Sequence, residues 1–496
     1  MNNLIVLPLL IPLFTAVMLI LFNRSLRVQR FASAVSMGIQ AITAAVIVAR
    51  VHGEGIQTLH MGGWLPPYGI VFVADMTAAL LVLTTTITAG ACVIYAFATI
   101  GESRERHYFY PFLQFLLAGV IGSFLTGDLF NLFVCFEVML IASYALISLG
   151  GTRRQLRETL KYILINILSS TLFVASVAYL YGTTGTLNMA HLSLRVAELQ
   201  QGGILTVIAV LFLIVFSLKA GLFLFYWLPG SYGAPPAAIS ALFAALLTKV
   251  GLYALLRTFT LIFYHEPGVT HTLIGWMAGA TMLLGAIGAV AFNDVSRIFN
   301  YNVILSVGFI AFGIAVSSGE ALEGAVFYLV HDMVAKALLF FLGGMIMTAA
   351  GTDKLGEAGG LMRTYPVIGW MLFVVALALV GIPPLSGFAG KLLLVRGGLA
   401  DGQYVLAAIG LLSSLVVLYS LMRVFMAMFW GEEKSSTATA PAKKFNASTM
   451  TAISFLFVLM VALGIGAEWL YPLIAQASDV LSDPSLYIEA VLGGGE

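Results

Sequence analysis

At 496 residues, the chain is 60% hydrophobic and carries only 9% charged residues. Soluble domains average about 25% charged residues, so this composition excludes a water-soluble protein and indicates a chain that crosses the membrane many times. The net charge of +1, without a basic cluster in the sequence, gives no support to nucleic-acid binding. Cys92 and Cys135 lie within apolar runs, which is typical of buried thiols rather than of a disulfide or a metal site.

Apolar runs of about 20 residues, the length that spans a bilayer as an α-helix, occur repeatedly along the sequence. They are too long and too continuous for the strands of a membrane β-barrel. We therefore predict an all-α polytopic membrane protein with about 14 transmembrane helices. In chain order, the predicted helices lie near residues 3–22, 31–51, 72–99, 108–126, 129–150, 160–181, 204–227, 236–257, 271–292, 298–317, 322–349, 366–395, 402–430 and 449–472.

The loops indicate the orientation of the chain, because short cytoplasmic loops accumulate Lys and Arg. Alternate loops are basic and carry, in order, Arg24, Arg27, Arg30, Arg104, Arg106, Arg153, Arg154, Arg157, Arg297, Lys354, Arg363, Lys434, Lys443 and Lys444. The opposite loops are nearly free of cations and carry mainly carboxylates, so we predict that both termini face outside. The polar stretch 431–448 has too few apolar residues to form a core.

Several charged side chains fall inside the predicted helices, where a charge is costly unless it faces the protein interior or a partner. They are Glu137, Lys219, Lys249, His331, Asp332, Lys336 and Lys391. A single lysine could extend to the membrane surface, and one ion pair could serve packing alone. For Asp75, at the start of the third predicted helix, the structural and functional interpretations have equal support. Several ionisable groups on separate helices instead favour a relay for protons or ions.

Glu137 and Lys219 have the chemistry to control a proton, because burial disfavours the charged form of a lysine and a nearby carboxylate favours it. We hypothesise that Glu137 determines whether Lys219 holds or releases its proton. His331 and Lys336 are five residues apart, so they share a helix face only if a π-bulge aligns them. His331 fits a relay member better than a core histidine. The sequence has no metal-ligand spacing, phosphate-binding loop or nucleophile motif, so we expect no cofactor and no metal.

Two stretches interrupt the predicted helices. GIPPLSGFAGK (381–391) contains paired prolines and three glycines, which break the helical hydrogen-bond ladder. WLPGSYGAPP (227–236) follows the helix that carries Lys219. Interruptions at corresponding places in two halves are typical of an ion pathway between inverted repeats, although 227–236 is equally consistent with an ordinary loop.

These residues resemble the antiporter-like membrane subunits shared by respiratory complex I and the Mrp multisubunit Na⁺/H⁺ antiporters. The resemblance rests on FEVMLIASYALI, on FSLKAGLFLFYWLPGSYGAPPAAISALFAALLTKVGLY, and on NDVSRIFNYNVILSVGF, HDMVAKALLFFLGG and GIPPLSGFAGK. Within that family, the stretch FNLFVCFEVMLIASYALISLGGTRRQLRETLKYILINILSS is similar to the D-type subunits of Mrp antiporters.

The resemblance implies two inverted five-helix repeats, predicted helices 4–8 and 9–13, in which helices 7 and 12 are broken and carry a functional lysine. It divides the chain into the first three helices (1–107), a first repeat (108–257), a second repeat (258–430) and a C-terminal part with the polar loop, the last helix and an acidic tail (431–496). On that template the proton relay consists of Glu137, Lys219, Lys249, His331, Lys336 and Lys391, with Asp75, Asp294 and Arg297 as possible accessory residues.

The resemblance further implies that the chain serves a transporter and is not an enzyme. We expect a proton-translocating subunit of a hetero-oligomeric Na⁺ (or K⁺)/H⁺ antiporter in the bacterial cytoplasmic membrane, with roles in cation efflux and pH homeostasis. The expected partners are a larger paralogue of the A type and small hydrophobic subunits. One alternative is a proton-pumping subunit of complex I or of a membrane-bound hydrogenase, where the relay would use redox energy. Another is a scaffold whose relay is inactive.

Overall fold

The computed structural model describes residues 3–431 and 444–493, and over these residues the fold contains 21 α-helices. In chain order they are α1 (Leu7–Leu21), α2 (Leu26–Glu54), α3 (Met76–Thr99), α4 (Glu102–Arg106), α5 (Phe109–Leu125), α6 (Leu129–Ser148), α7 (Arg153–Thr184), α8 (Met189–Glu198), α9 (Ile204–Ala220), α10 (Leu228–Gly233), α11 (Ala237–Leu261), α12 (Thr270–Ala291), α13 (Val295–Val316), α14 (Gly319–Ala350), α15 (Leu361–Thr364), α16 (Pro366–Val380), α17 (Ser386–Ala400), α18 (Tyr404–Phe429), α19 (Ala447–Ile465), α20 (Ala467–Ser482) and α21 (Pro484–Leu492). A short antiparallel pair, β1 (Gln57–His60) and β2 (Val71–Ala74), joins α2 to α3.

The helices account for the predicted membrane spans. Within the described part of the chain, 11 helical segments are long and apolar enough to cross a membrane, and the shorter apolar helices α5, α9 and α16 fall at the remaining predicted positions. The all-α polytopic fold is therefore confirmed. Residues 432–443 of the predicted polar loop, with Lys434 and Lys443, lie outside the described residues, as does Glu496 of the acidic tail.

One helix begins well before its predicted start. Predicted helix 6 (160–181) corresponds to α7, which starts at Arg153 because Thr152 forms a capping box with Gln155. In this arrangement the two residues satisfy backbone N–H groups that the helix itself leaves without a partner. Hydropathy alone does not detect this polar first turn.

The helices are interrupted near both predicted stretches, but the first break spans residues 221–227, ahead of most of the predicted 227–236, within which α10 is helical. α9 ends one residue after Lys219, where Gly221 has φ of 74°, a left-handed conformation that glycine adopts without strain. The helix resumes only at Leu228 as α10. Similarly, α16 ends before Gly381 and α17 begins at Ser386. Each break leaves the end of a short helix, with its unpaired carbonyl groups, inside a predicted span.

The core of the bundle consists of α11, α13 and α14. The apolar window of α11 is entirely buried, and those of α13 and α14 are 89% and 83% buried, compared with 33% for α1 and for α7. α14 packs against both α11 and α17. Because α11 carries Lys249 and α14 carries His331, Asp332 and Lys336, the core of the bundle also holds the densest group of ionisable side chains.

Candidate proton relay

Glu137 and Lys219 are connected through a serine that lies between them. Lys219, in the last turn of α9, is only 4% exposed. Its Nζ donates a hydrogen bond of 2.9 Å to Oγ of Ser170 on α7. The Ser170 hydroxyl in turn donates to Oε1 of Glu137 on α6. The Lys219 ammonium also lies 5.7 Å from the centroid of the Phe136 ring, a position where the ring face attracts a cation.

Lys249, Asp332 and Lys336 form an enclosed ion cluster between α11 and α14. Lys249 Nζ lies 2.7 Å from Oδ2 of Asp332, and Lys336 Nζ lies 3.6 Å from Oδ1 of the same carboxylate. None of the three residues is more than 1% exposed. Each lysine also donates to a backbone carbonyl, Lys249 to Ala244 at 2.7 Å and Lys336 to Asn302 at 2.9 Å. Two ammonium groups thus share one carboxylate.

Lys391, on α17, is bound at the second helix interruption. Its Nζ donates to the carbonyl oxygen of Val380, the last residue of α16, at 3.1 Å, and to Oγ of Ser414 on α18 at 2.8 Å. The ammonium lies 5.6 Å from the centroid of the Tyr328 ring. Lys336 and Lys391 line the same small cavity, so the ion cluster and the second broken helix meet there.

His331 makes a separate contact with the second broken helix. Its Nδ1 lies 2.7 Å from Oγ of Ser386, the first residue of α17. Its Nε2 is buried and makes no hydrogen bond to another described residue.

Comparison with known proteins assigns the chain to a family. Residues 126–417 match the family model described as NADH:quinone oxidoreductase/Mrp antiporter, TM. The sequence is 51% identical to the D-type subunit of the Na⁺/H⁺ antiporter of Bacillus subtilis (strain 168), over 99% of this chain and 100% of that protein. The chain belongs to this antiporter-subunit family.

Solved structures support the same assignment. A chain in the structure of the Mrp complex from Dietzia sp. DQ12-45-1b has a TM-score of 0.92 and 29% identity, covering 99% of this chain and 100% of that one. A chain of respiratory complex I from Thermus thermophilus has a TM-score of 0.83 at 23% identity, covering 97% and 100%. The second likeness establishes a shared fold.

In this member of the antiporter-subunit family, His331 and Lys336 do not share a helix face. α14 is a regular α-helix from Gly319 to Ala350, so the π-bulge that would align the two side chains is not formed and that alternative is wrong. Lys336 instead pairs with Asp332, one turn earlier on the same face. His331 points to the second broken helix through Ser386.

The three predicted accessory residues make contacts of other kinds. Asp75 caps α3 by accepting a hydrogen bond of 2.9 Å from the N–H of Ala78, and it also forms a buried ion pair with Arg257. Asp294 and Arg297 pair with each other at 3.3 Å at the start of α13, where the Arg297 side chain is 50% exposed. The Asp75–Arg257 pair links the start of α3 to α11, whereas the Asp294–Arg297 pair lies at the start of α13 alone.

Sequence reasoning does not find the residues that link the ionisable groups. Ser170, Ser386 and Ser414 are absent from the predicted relay, because a serine in an apolar helix carries no signal of its own. Asp332 is recognisable as a buried charge but not as the carboxylate between two lysines. Its spacing of four residues from Lys336 is the available signal, since such pairs meet on one helix face.

Proposed function

We propose that this chain is the proton-translocating subunit of a hetero-oligomeric Na⁺ (or K⁺)/H⁺ antiporter, in which proton movement through the relay drives cation efflux. The observation that carries the proposal is the series of ionisable groups from partly buried Glu137 to buried Lys391, which includes a lysine at each broken helix. The Bacillus subtilis relative is named for a Na⁺/H⁺ antiporter, and that name supports the choice of antiport.

The two parts of the relay meet where α9 packs against α11. A Cβ added at Gly251 would lie only 2.5 Å from the backbone nitrogen of Ala220. Ala220 follows Lys219 in sequence, and Gly251 is two residues from Lys249. In the proposed relay, protons therefore pass between the Glu137–Lys219 pair and the ion cluster at this contact, and between the cluster and Lys391 at their shared cavity.

Sharing one carboxylate between two lysines favours exchange of a proton by the ion cluster. With both lysines protonated, Lys249, Asp332 and Lys336 carry a net charge of +1 in an enclosed site, and an uncompensated buried charge is costly. Loss of one proton leaves a neutral cluster. The remaining proton can reside on Lys249 of α11 or on Lys336 of α14, so protonation can pass between the two helices.

Partner subunits are supported by the surface around Glu137. Glu137 is only partly buried, and α6 exposes Phe130, Val134 and Ile141 at 49%, 41% and 61%. These four positions recur at helical spacing along one face. Because a carboxylate at membrane depth is costly against lipid, we propose that a partner membrane protein covers this face. A larger paralogue of the A type and small hydrophobic subunits are the partners that we propose.

We propose that both termini face outside in the bacterial cytoplasmic membrane, because the basic loops alternate along the chain and basic loops favour the cytoplasmic side. We also propose that residues 108–257 and 258–430 are inverted repeats. Support comes from the equivalent position of the two helix breaks, one in each part, with Lys219 and Lys391 beside them.

Replacing Lys219 by Ala tests the proposed function. In everted vesicles that hold the assembled complex, added Na⁺ or K⁺ should no longer dissipate a preformed pH gradient, although the complex should still assemble. Lys354, on the surface with its side chain 61% exposed, provides the control, and Lys354→Ala should retain exchange. Unchanged exchange in Lys219→Ala would refute the relay. Copurification of iron–sulfur or flavin proteins with the chain would instead favour a redox pump.

A further inference from the structure

The Ser170 hydroxyl occupies an unusual position among the hydroxyl groups of α7. Hydroxyls in membrane helices commonly donate to a carbonyl of the preceding turn, and several on α7 do so, namely Thr159, Thr171, Ser176, Thr183 and Thr184. Ser169 donates to the backbone carbonyl of Val215 on α9, whereas Ser170 donates to a charged side chain, Glu137 on α6. If the Ser170 hydroxyl needed only a hydrogen-bond partner, it could donate to a backbone carbonyl of the preceding turn, as the neighbouring Thr171 hydroxyl does.

The same hydroxyl also accepts a hydrogen bond, so it has a donor on one side and an acceptor on the other. Lys219 Nζ donates to Ser170 Oγ at 2.9 Å, and the Ser170 O–H donates to Glu137 Oε1. A serine hydroxyl has one proton to give and lone pairs to accept with. Ser170 uses both, and the bonds point in one direction, from the lysine to the carboxylate.

We propose that Ser170 carries the proton between Lys219 and Glu137, as an additional member of the relay; this rests on the proposed function. In the transfer, the Lys219 ammonium gives a proton to Ser170 Oγ as Ser170 gives its own proton to the Glu137 carboxylate. An N–H and an O–H bond break, and two O–H bonds form. The products are a neutral amine, the same neutral hydroxyl and a neutral carboxylic acid.

The transfer removes both charges of the pair in one step without moving either helix. Because separated charges are costly at membrane depth, a route in which the ammonium and the carboxylate are neutralised together avoids leaving either of them alone. Reversal restores the ion pair. The hydroxyl therefore lets Glu137 control the proton on Lys219 through a hydrogen-bonded path rather than through charge alone.

Three variants at position 170 separate the hydroxyl from the volume of the side chain. Ser170→Thr keeps the hydroxyl, Ser170→Val has nearly the shape of threonine without it, and Ser170→Ala removes it with little change in packing. Thr171→Val is the matched control, because the Thr171 hydroxyl donates to the carbonyl of Ile167 at 2.9 Å on the exposed side of α7. Lys219→Ala is measured in parallel.

The assay is cation-dependent dissipation of a pH gradient in everted vesicles, normalised to the amount of assembled complex. Ser170→Ala and Ser170→Val should lose about tenfold or more in rate, since both lack a hydrogen bond to a charged group. Ser170→Thr should stay within about twofold of the wild type, since it keeps that bond, and Thr171→Val should be unchanged.

The outcomes distinguish this inference from the proposed function. If Lys219→Ala abolishes exchange but Ser170→Ala does not reduce it, the relay stands and the role of Ser170 is wrong. If all three variants at position 170 lose exchange equally, the hydroxyl is not what matters and the inference is again overturned. If Lys219→Ala retains exchange, the proposed function itself fails.

Discussion

Replacing Asp332 by Asn removes the carboxylate that Lys249 and Lys336 share and keeps its shape. Removing one partner of a buried ion pair costs about 3–5 kcal/mol, because the other charge is left uncompensated. Each lysine retains a backbone carbonyl acceptor, from Ala244 and Asn302, so we expect a value near the lower limit, about 3 kcal/mol. The comparison is Asp294→Asn, which breaks a pair with half-exposed Arg297 and should cost about 0.3–0.5 kcal/mol.

Two measurements follow this substitution. The first is the melting temperature of the detergent-extracted complex, which should fall clearly for Asp332→Asn and little for Asp294→Asn. The second is exchange per assembled complex at a temperature below both transitions, which should be lost in Asp332→Asn alone. Asp332→Glu keeps the charge and should retain more exchange than Asp332→Asn.

A double substitution separates the effect of Asp332 on stability from its effect on exchange. Asp332→Asn together with Lys249→Met removes both members of the 2.7 Å pair and leaves Lys336, which donates to the Asn302 carbonyl, as the one charge of the cluster. Replacing both members of a buried pair by neutral groups is often neutral for stability, so the melting temperature should recover in part, because Lys336 still lacks its carboxylate, while exchange should not recover. Wild-type exchange in Asp332→Asn would refute the assignment of the cluster to the relay.

Two further substitutions test the packing and the predicted accessory residue. Gly251→Ala would place a Cβ 2.5 Å from the backbone nitrogen of Ala220, and overpacking of this kind costs about 1–3 kcal/mol. The melting temperature and exchange should therefore both fall. The control is Gly182→Ala, whose Cβ meets no atom within 4 Å and which should change neither. Asp75→Asn should reduce the amount of assembled complex, because it leaves buried Arg257 without its carboxylate. Exchange per assembled complex should stay within about twofold of the wild type. A loss of exchange without a loss of assembly would place Asp75 in the relay.

The features that could be predicted from the sequence are those with a local cause. A membrane span is an apolar run, so hydropathy located the helices, and the prolines and glycines of 381–391 marked the second interruption directly. The buried charges were visible because a charge within an apolar run is rare. The first turn of α7 was missed because a capping box, rather than hydropathy, determines its start.

The connections between the charges could not be predicted because they are contacts between distant parts of the chain. Ser170 lies 33 residues from Glu137 and 49 from Lys219, and no local pattern distinguishes it from Ser169 beside it. Lys249 and Asp332 meet only because α11 packs on α14. For His331 and Lys336, helical spacing correctly indicated different faces, but the partner of each depended on neighbouring helices.

The two helix interruptions and the two lysines beside them form one electrostatic arrangement. Lys219 lies in the last turn of α9, and the Lys391 ammonium donates to Val380 at the end of α16, so each lysine lies near the C-terminal end of a short helix. Such an end presents unpaired carbonyls and a partial negative charge, which stabilise a cation by up to about 2 kcal/mol in partly buried sites. This stabilisation is smaller than the one that a buried carboxylate supplies.

A continuous helix would bond these carbonyls within itself and leave each lysine dependent on a full countercharge. With the breaks, each lysine has a partial negative charge nearby in addition to its hydroxyl partner, Ser170 for Lys219 and Ser414 for Lys391.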